Sequence, residues 1–270
     1  PTGPVQRDYD DVRRYAEAAS AGVQRARDAG AKSVLLLVQT PPLDVRYGHA
    51  PVIAALGAVG GLWQPLEARE ALGERTVEPV QKVGVAVLGG EFSIAAAKWV
   101  EAVDAGGRLA RDLCGTEPER MAPPKFAACV QAACRGTAIK VTVDKDVKKL
   151  QRDYPLLMAV ARASLVTERH RPCVVRMEYK PKGRVTRPLL LAGKGLPYDT
   201  GGAALKVNGV MSGMSRDKGG AAAVAGLVLA CAKLAVKGVH LIAELGCVRN
   251  SIGADAFVSD EIVTAHSGCR

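Results

Sequence analysis

Apolar residues recur every three or four positions between Asp8 and Asp28. Val12, Tyr15, Ala19, Val23 and Ala26 fall on one face, with Arg and Glu opposite. That spacing predicts a helix, and Gly30 ends it. The period then changes. Ser33 to Gln39 is a short continuous run of Val and Leu, which predicts a buried strand. Thr40-Pro41-Pro42 predicts a turn. Pro51 to Gln64 predicts a second helix despite its glycines. Val83 to Leu88 predicts another buried strand, closing at Gly89-Gly90. A long helical stretch, Ser93 to Leu113, follows, interrupted at Gly106-Gly107.

Beyond it, Cys114 to Pro124 is irregular, and Pro124 opens a helix that continues from Phe126 to Ala133. Lys140 to Val143 predicts a strand. Asp146 to Gln151 and Leu156 to Ala163 are short helical patterns. Val174 to Tyr179 alternates like a half-exposed strand. Pro188 to Ala192 is the next strand, Gly219 to Lys237 a helix, and His240 to Glu244 the strand after it. Strand, helix, strand in that order is a βαβ unit, which predicts that Val239–Ala243 lies parallel to Pro188–Ala192. The expected fold class is α/β with two domains, each a mostly parallel sheet sandwiched by helices, joined by the long helix. The domains are expected at 1–103 and 104–270.

Composition supports a packed core of small aliphatic residues, because 48% of the 270 residues are hydrophobic but only 4% are aromatic. The apolar run Ala221 to Ala232 is shorter than the ~20 residues of a membrane span, so no membrane association is expected and a cytoplasmic location is. The seven cysteines form no C-x-x-C pair, and the four histidines are scattered. Buried thiols in a reducing compartment are the expected reading. H-E-x-x-H, Walker-type and G-x-S-x-G motifs are absent, which excludes the commonest zinc-protease, nucleotide and serine-hydrolase signatures. Charge changes the picture in one region. From Arg135 to Arg187 there are 14 Lys or Arg against 5 Asp or Glu, nearly the whole +10 excess. Such a segment suits an acidic partner or nucleic acid, although Tyr154 and Tyr179 are its only aromatics for base stacking. The alternative is a solvated face.

Candidate chemistry concentrates in two glycine-rich loops, Leu191-Ala-Gly-Lys-Gly-Leu-Pro-Tyr-Asp-Thr-Gly-Gly-Ala-Ala-Leu-Lys206 and Met214-Ser-Arg-Asp-Lys-Gly-Gly-Ala-Ala-Ala-Val224. Lys194 follows a strand between two glycines, where backbone can approach a ligand closely. Partial desolvation there would favour an amine able to ligate a metal. Asp199 is expected at the C-terminal edge of the sheet, where open α/β sheets bind ligands. Asp217 precedes the Gly219 helix. Taken singly, Asp199 reads as a turn aspartate and Asp217 as a helix cap. Together with two lysines and two Gly-Gly pairs they predict one site with hard oxygen ligands for Zn²⁺ or Mn²⁺.

The segment Leu191–Val224 is similar in order and spacing to the signature of the leucyl aminopeptidase family, two-metal exopeptidases that remove N-terminal residues from peptides. Ala110-Arg-Asp-Leu-Cys-Gly-Thr-Glu-Pro-Glu-Arg-Met-Ala-Pro123 and Trp63-Gln-Pro-Leu-Glu-Ala-Arg-Glu70 resemble other parts of that family more weakly. The resemblance implies that Lys194 and Asp217 ligate one metal ion and that Asp199 bridges two. It implies that Lys206 remains charged and polarises the carbonyl, and that Met214 lines the pocket for the first side chain. It further implies peptide substrates, a homohexamer, and a following Asn-Thr-Asp-Ala-Glu-Gly-Arg motif with further carboxylate ligands. The expectation is therefore an internal portion of a longer polypeptide, with its two metals incompletely liganded and inactive by itself. Ser215 and Arg249 stand where the family has Lys and Glu, which suggests a divergent branch. The competing expectation is a non-catalytic scaffold or nucleic-acid-binding relative that keeps the fold.

Overall fold

The structure is a computed structural model and describes residues 2–5, 7–39 and 44–270. The chain forms two compact units, residues 1–108 and 109–270. The expected Thr40-Pro41-Pro42 turn lies outside the described residues.

In the first unit α1 (Arg13–Asp28), β1 (Ser33–Val38), α2 (Ala50–Leu62), α3 (Leu66–Leu72), α4 (Glu74–Val77) and β2 (Lys82–Val87) follow in order. β1 and β2 pair in parallel, Ser33 opposite Lys82 through Val38 opposite Val87. The glycines of α2 are packing positions. A Cβ at Gly57 would collide with the Ala16 backbone, and one at Gly61 with Ser20, so these glycines let α1 lie close. Tyr15, Ala19, Val23, Tyr47, Ala54 and Ala58 fill the core. The strands are not buried as expected: Leu35 is 70% and Leu37 59% exposed. The Val34 and Leu36 face packs on the core, and the other face does not.

α5 (Ile94–Gly115) runs continuously through Gly106-Gly107, where an interruption was expected. The boundary between the two units, after Arg108, lies within it. Helix propensity is a small cost, about 1 kcal/mol per glycine, which tertiary context overrides.

The second unit continues with α6 (Pro123–Ala133), β3 (Ile139–Asp144), α7 (Val147–Asp153), α8 (Pro155–Ala161), β4 (Cys173–Tyr179), β5 (Arg187–Gly195), α9 (Gly219–Lys233) and β6 (Val239–Cys247). Its sheet runs β3-β4-β6-β5. Only β5 and β6 are parallel, Pro188 opposite His240 and Leu191 opposite Ala243, as the βαβ pattern requires. β3 with β4 and β4 with β6 are antiparallel, so the sheet is mixed rather than mostly parallel. β4 is also more buried than its alternation suggested, with Val174, Val175, Met177 and Tyr179 all buried. α9 packs against Gly193 and Leu245 on one face. On the other, Leu150, Met158 and Ala161 of α7 and α8 meet Val174, and Leu157 lies over Gly246. β5 is covered only toward its end: Leu189 is 39% and Leu190 79% exposed.

Candidate metal centre

Lys194 sits on β5 itself, paired across the sheet with Gly246, rather than in the loop beyond. Its neighbours Gly193 and Gly195 are buried against α9. A Cβ at Gly193 would lie 2.6 Å from Ala221 Cα, and one at Gly195 would lie 3.1 Å from Ala221 Cβ. A Cβ at Gly220 would lie 3.2 Å from the Lys194 nitrogen. Strand and helix therefore touch backbone to backbone. This contact brings the turn before α9 onto the end of β5, where Leu196 N–H donates to the Asp217 carbonyl (3.3 Å). Lys194 Nζ lies 3.1 Å from Asp217 Oδ2. The desolvation expected for Lys194 is not found, since its side chain is 59% exposed. Asp217 Oδ2, in contrast, is buried and accepts no hydrogen bond; its approach to Lys194 is a charge contact without hydrogen-bond geometry. Asp217 does not cap α9 either, because Lys218 occupies that position.

Past β5 the chain pairs with the continuation of β6 through a bridge between Asp199 and Asn250. Asn250 N–H donates to the Tyr198 carbonyl (3.2 Å), and Thr200 N–H and Oγ1 donate to the Asn250 carbonyl (3.2 and 2.8 Å). Gly201 and Gly202 then take φ of 88° and 67°, a left-handed pair that an L side chain resists. The chain turns back so that Lys206 N–H reaches the Thr200 carbonyl (2.9 Å). Lys206 Nζ lies 3.3 Å from Asp199 Oδ2. Asp199 Oδ1 accepts from the Asn250 amide (2.8 Å) and from Gly201 N–H (2.9 Å). Burial pushes the Asp199 carboxyl up, but the Gly201 N–H, the Asn250 amide and the Lys206 ammonium outweigh it and leave it below the ordinary carboxylate range.

The loops thus resolve into two Lys–Asp pairs, Lys194 with Asp217 and Asp199 with Lys206. Met214 is half-buried at the start of the 3₁₀ turn that ends before Asp217. The donors come near to a metal-ligand pair in spacing, and Lys194, exposed and ion-paired with Asp217, would ligate only as the neutral amine. A nitrogen and an oxygen each about 2.0–2.2 Å from one tetrahedral ion stand about 3.3–3.6 Å apart, slightly more than the 3.1 Å between Lys194 Nζ and Asp217 Oδ2. The buried, unpartnered Asp217 oxygen is what a missing ligand would leave. Among the described residues, however, no three His, Cys, Asp or Glu side chains come together as a ligand cluster.

Three groups escaped the sequence reading. Asn250 orients Asp199. Lys218 is fully buried and donates from Nζ to the carbonyls of Thr116 (2.9 Å) and Ser215. Glu119, finally, gathers three cationic or protonatable partners: Arg169 Nε (2.6 Å), Arg249 Nη1 (2.6 Å) and His170 Nε2 (2.9 Å). The Arg169 hydrogen bond is the main reason Glu119 lies at about 2, with Arg249 and His170 helping against burial. Burial and Arg249 hold His170 below its usual value despite Glu119. The Lys-Gly-Gly triplet was the available signal for Lys218; the others come from segments too distant for any motif.

Residues 108–270 match the family model for the cytosol aminopeptidase family, catalytic domain. The chain is 41% identical over 270 residues to a putative aminopeptidase of Caenorhabditis elegans, covering 100% of this chain and 51% of that protein. It is 30% identical over 264 residues to a probable cytosol aminopeptidase of Nitrosospira multiformis, covering 94% of this chain and 49% of the relative. The chain thus spans about half the length of these relatives. Among solved structures, the bottromycin maturation enzyme BotP in complex with Mn superposes with a TM-score of 0.80 at 26% identity, over 96% of this chain and 52% of that one. The apo leucyl aminopeptidase of Trypanosoma cruzi superposes at 0.79 and 24% identity, over 98% and 50%, and so speaks for the fold alone.

Proposed function

From the premise that this chain belongs to the cytosol aminopeptidase family, we propose that it carries part of a metalloaminopeptidase site that removes N-terminal residues from peptides. The observation that supports this reading best is the pair Lys194 and Asp217, 3.1 Å apart, with a buried Asp217 oxygen lacking any hydrogen bond. Lys194 and Asp217 would hold one divalent ion, and Asp199, its Oδ1 held by Asn250 and Gly201, would contribute a carboxylate ligand shared by the two ions. When bound, Zn²⁺ or Mn²⁺ would supply a water of lowered pKa and charge to stabilise the developing oxyanion. Lys206, 3.3 Å from Asp199 Oδ2, would polarise the substrate carbonyl. Met214 borders the pocket for the first side chain.

A two-metal site wants about five or six protein ligands, and this chain offers three. We infer that the remainder comes from elsewhere in a longer polypeptide, and that residues 1–270 alone are inactive. By the same resemblance we propose a hexameric, cytoplasmic protein. Among the described residues no helix is long and apolar enough to cross a membrane.

The test is Mn²⁺- and Zn²⁺-dependent hydrolysis of leucyl anilides by the complete protein. Activity that chelator abolishes, that metal restores, and that Asp217→Asn removes is expected. The rival reading is a non-catalytic scaffold or nucleic-acid-binding relative, favoured by the lack of a third acidic ligand among the described residues. A complete protein without metal-dependent activity would favour that rival.

A further inference from the structure

Arg249 stands between the ionic cluster at Glu119 and the loop that carries Asp199. It directly precedes Asn250, whose amide holds Asp199 Oδ1 at 2.8 Å. Its Nη1 donates to Glu119 Oε1 at 2.6 Å, and its guanidinium carbon lies 5.8 Å from the centre of the Tyr198 ring. Tyr198 is the residue before Asp199. One side chain thus meets Glu119, which follows α5, and lies over the ring of Tyr198. It is 19% exposed, so the contact is partly withdrawn from water. Glu119 is fixed in turn by Arg169 (2.6 Å) and His170 (2.9 Å), both just before β4.

Neutralising Glu119 does not require Arg249, because Arg169 already pairs with it. Arg249 adds instead a side-chain anchor to the stretch after β6, which lies alongside Tyr198–Thr200 through the Asp199–Asn250 bridge, the Thr200 Oγ1 bond to the Asn250 carbonyl and the Val248 N–H bond to the Gly195 carbonyl. We propose that Arg249 is a positioning residue for the metal centre: anchored on Glu119 and set over Tyr198, it fixes Asn250, whose amide holds Asp199 Oδ1 and so orients the carboxylate that Lys206 meets at Oδ2. The inference rests on the metalloaminopeptidase reading above. Arginine suits the role because its planar group bonds along its edge while its face meets an aromatic ring, which an ammonium cannot do in one geometry.

The experiment titrates Mn²⁺ into the complete protein and follows the loss of the free-ion electron paramagnetic resonance signal. Wild type, Arg249→Ala, Arg249→Lys and Tyr179→Phe are compared. Tyr179→Phe removes a hydrogen bond to the Val236 carbonyl (2.9 Å) near the opposite end of the sheet and controls for loss of stability. Removing a group that orients a ligand typically costs 10–100-fold in metal affinity. Arg249 acts one residue further away, so about tenfold weaker binding is expected for Arg249→Ala, about threefold for Arg249→Lys, and none for Tyr179→Phe. Arg249→Ala binding within twofold of wild type would overturn the inference and leave the functional reading intact. Equal weakening in Arg249→Ala and Tyr179→Phe would reduce Arg249 to a stability contact and overturn it too. Wild type that takes up no Mn²⁺ would overturn the functional reading and this inference with it. Should Arg249→Ala fail to fold, Arg249→Lys decides: wild-type affinity there overturns the role of the Tyr198 contact.

Discussion

Gly193→Ala tests the contact that assembles the site. The new Cβ would lie 2.6 Å from Ala221 Cα, 2.9 Å from Leu245 Cδ2 and 3.1 Å from Ala221 N. Carbon atoms pack at about 3.5–4.0 Å, so α9 must withdraw from β5 by roughly 1 Å. Two of the three neighbours are backbone atoms and cannot rotate away. Overpacking of this kind costs about 1–3 kcal/mol, and for a unit of this size melting falls by about 2–4 °C per kcal/mol. The withdrawal also carries Asp217, three residues before Gly220, away from Lys194. Thermal melting by circular dichroism should therefore show a fall of several degrees, and Mn²⁺ affinity should fall with it. Gly22→Ala is the matched control. Gly22 lies exposed inside α1 with nothing within 4 Å of its would-be Cβ, so alanine there should stabilise by about 0.5–1 kcal/mol. Gly193→Ala melting at or above wild type would show that α9 does not rest on β5 as described, and the account of how Asp217 reaches Lys194 would fail.

Further outcomes follow from the same geometry. Lys206→Ala in the complete protein should lower kcat by about 10²–10³ while metal content stays near wild type; full kcat would remove its assigned role. Lys218→Ala leaves the buried Thr116 carbonyl and the half-buried Ser215 carbonyl without this donor and opens a cavity, so a loss of about 2–4 kcal/mol is expected in urea titration. A cost below 1 kcal/mol would show that the lysine is dispensable. Glu119 is about 2 in the fold and near 4.3 when unfolded. Its contribution is full above about pH 4.3 and lost as the pH falls toward 2. The stability difference between wild type and Glu119→Gln should shrink over that window, and a difference that grows on acidification would contradict the pairing.

The elements themselves were largely legible, because apolar spacing reflects which face of a helix or strand meets a core. α1, α9, β5 and β6 lie where the pattern puts them, and the parallel pairing of β5 with β6 follows from the intervening helix. Strand direction elsewhere was not legible. β3 and β4 carry the same kind of apolar alternation whether they run together or opposed, and their antiparallel register is set by tertiary packing. Nor could an apolar run reveal that Leu35 and Leu37 face away from the core, since Val and Leu on both faces look alike in sequence. The two loops were readable as a site because Lys194, Asp199, Lys206 and Asp217 lie within 24 positions of one another. The Glu119, His170 and Arg249 cluster was not, because its members stand 51 and 79 positions apart and meet only in three dimensions.

The contact between β5 and α9 has one more implication, for how the site responds to physical stress. Gly193, Gly195, Gly220 and Ala221 leave almost no side chain between strand and helix. The main-chain separation of Lys194 and the turn carrying Asp217 is then set by backbone atoms in contact, which have no rotamers to exchange and little free volume to lose. Close-packed interiors compress little. Hydrostatic pressure should alter the loop around Lys206 well before it changes the main-chain separation of Lys194 and Asp217, making that backbone contact the stiff reference point of the centre.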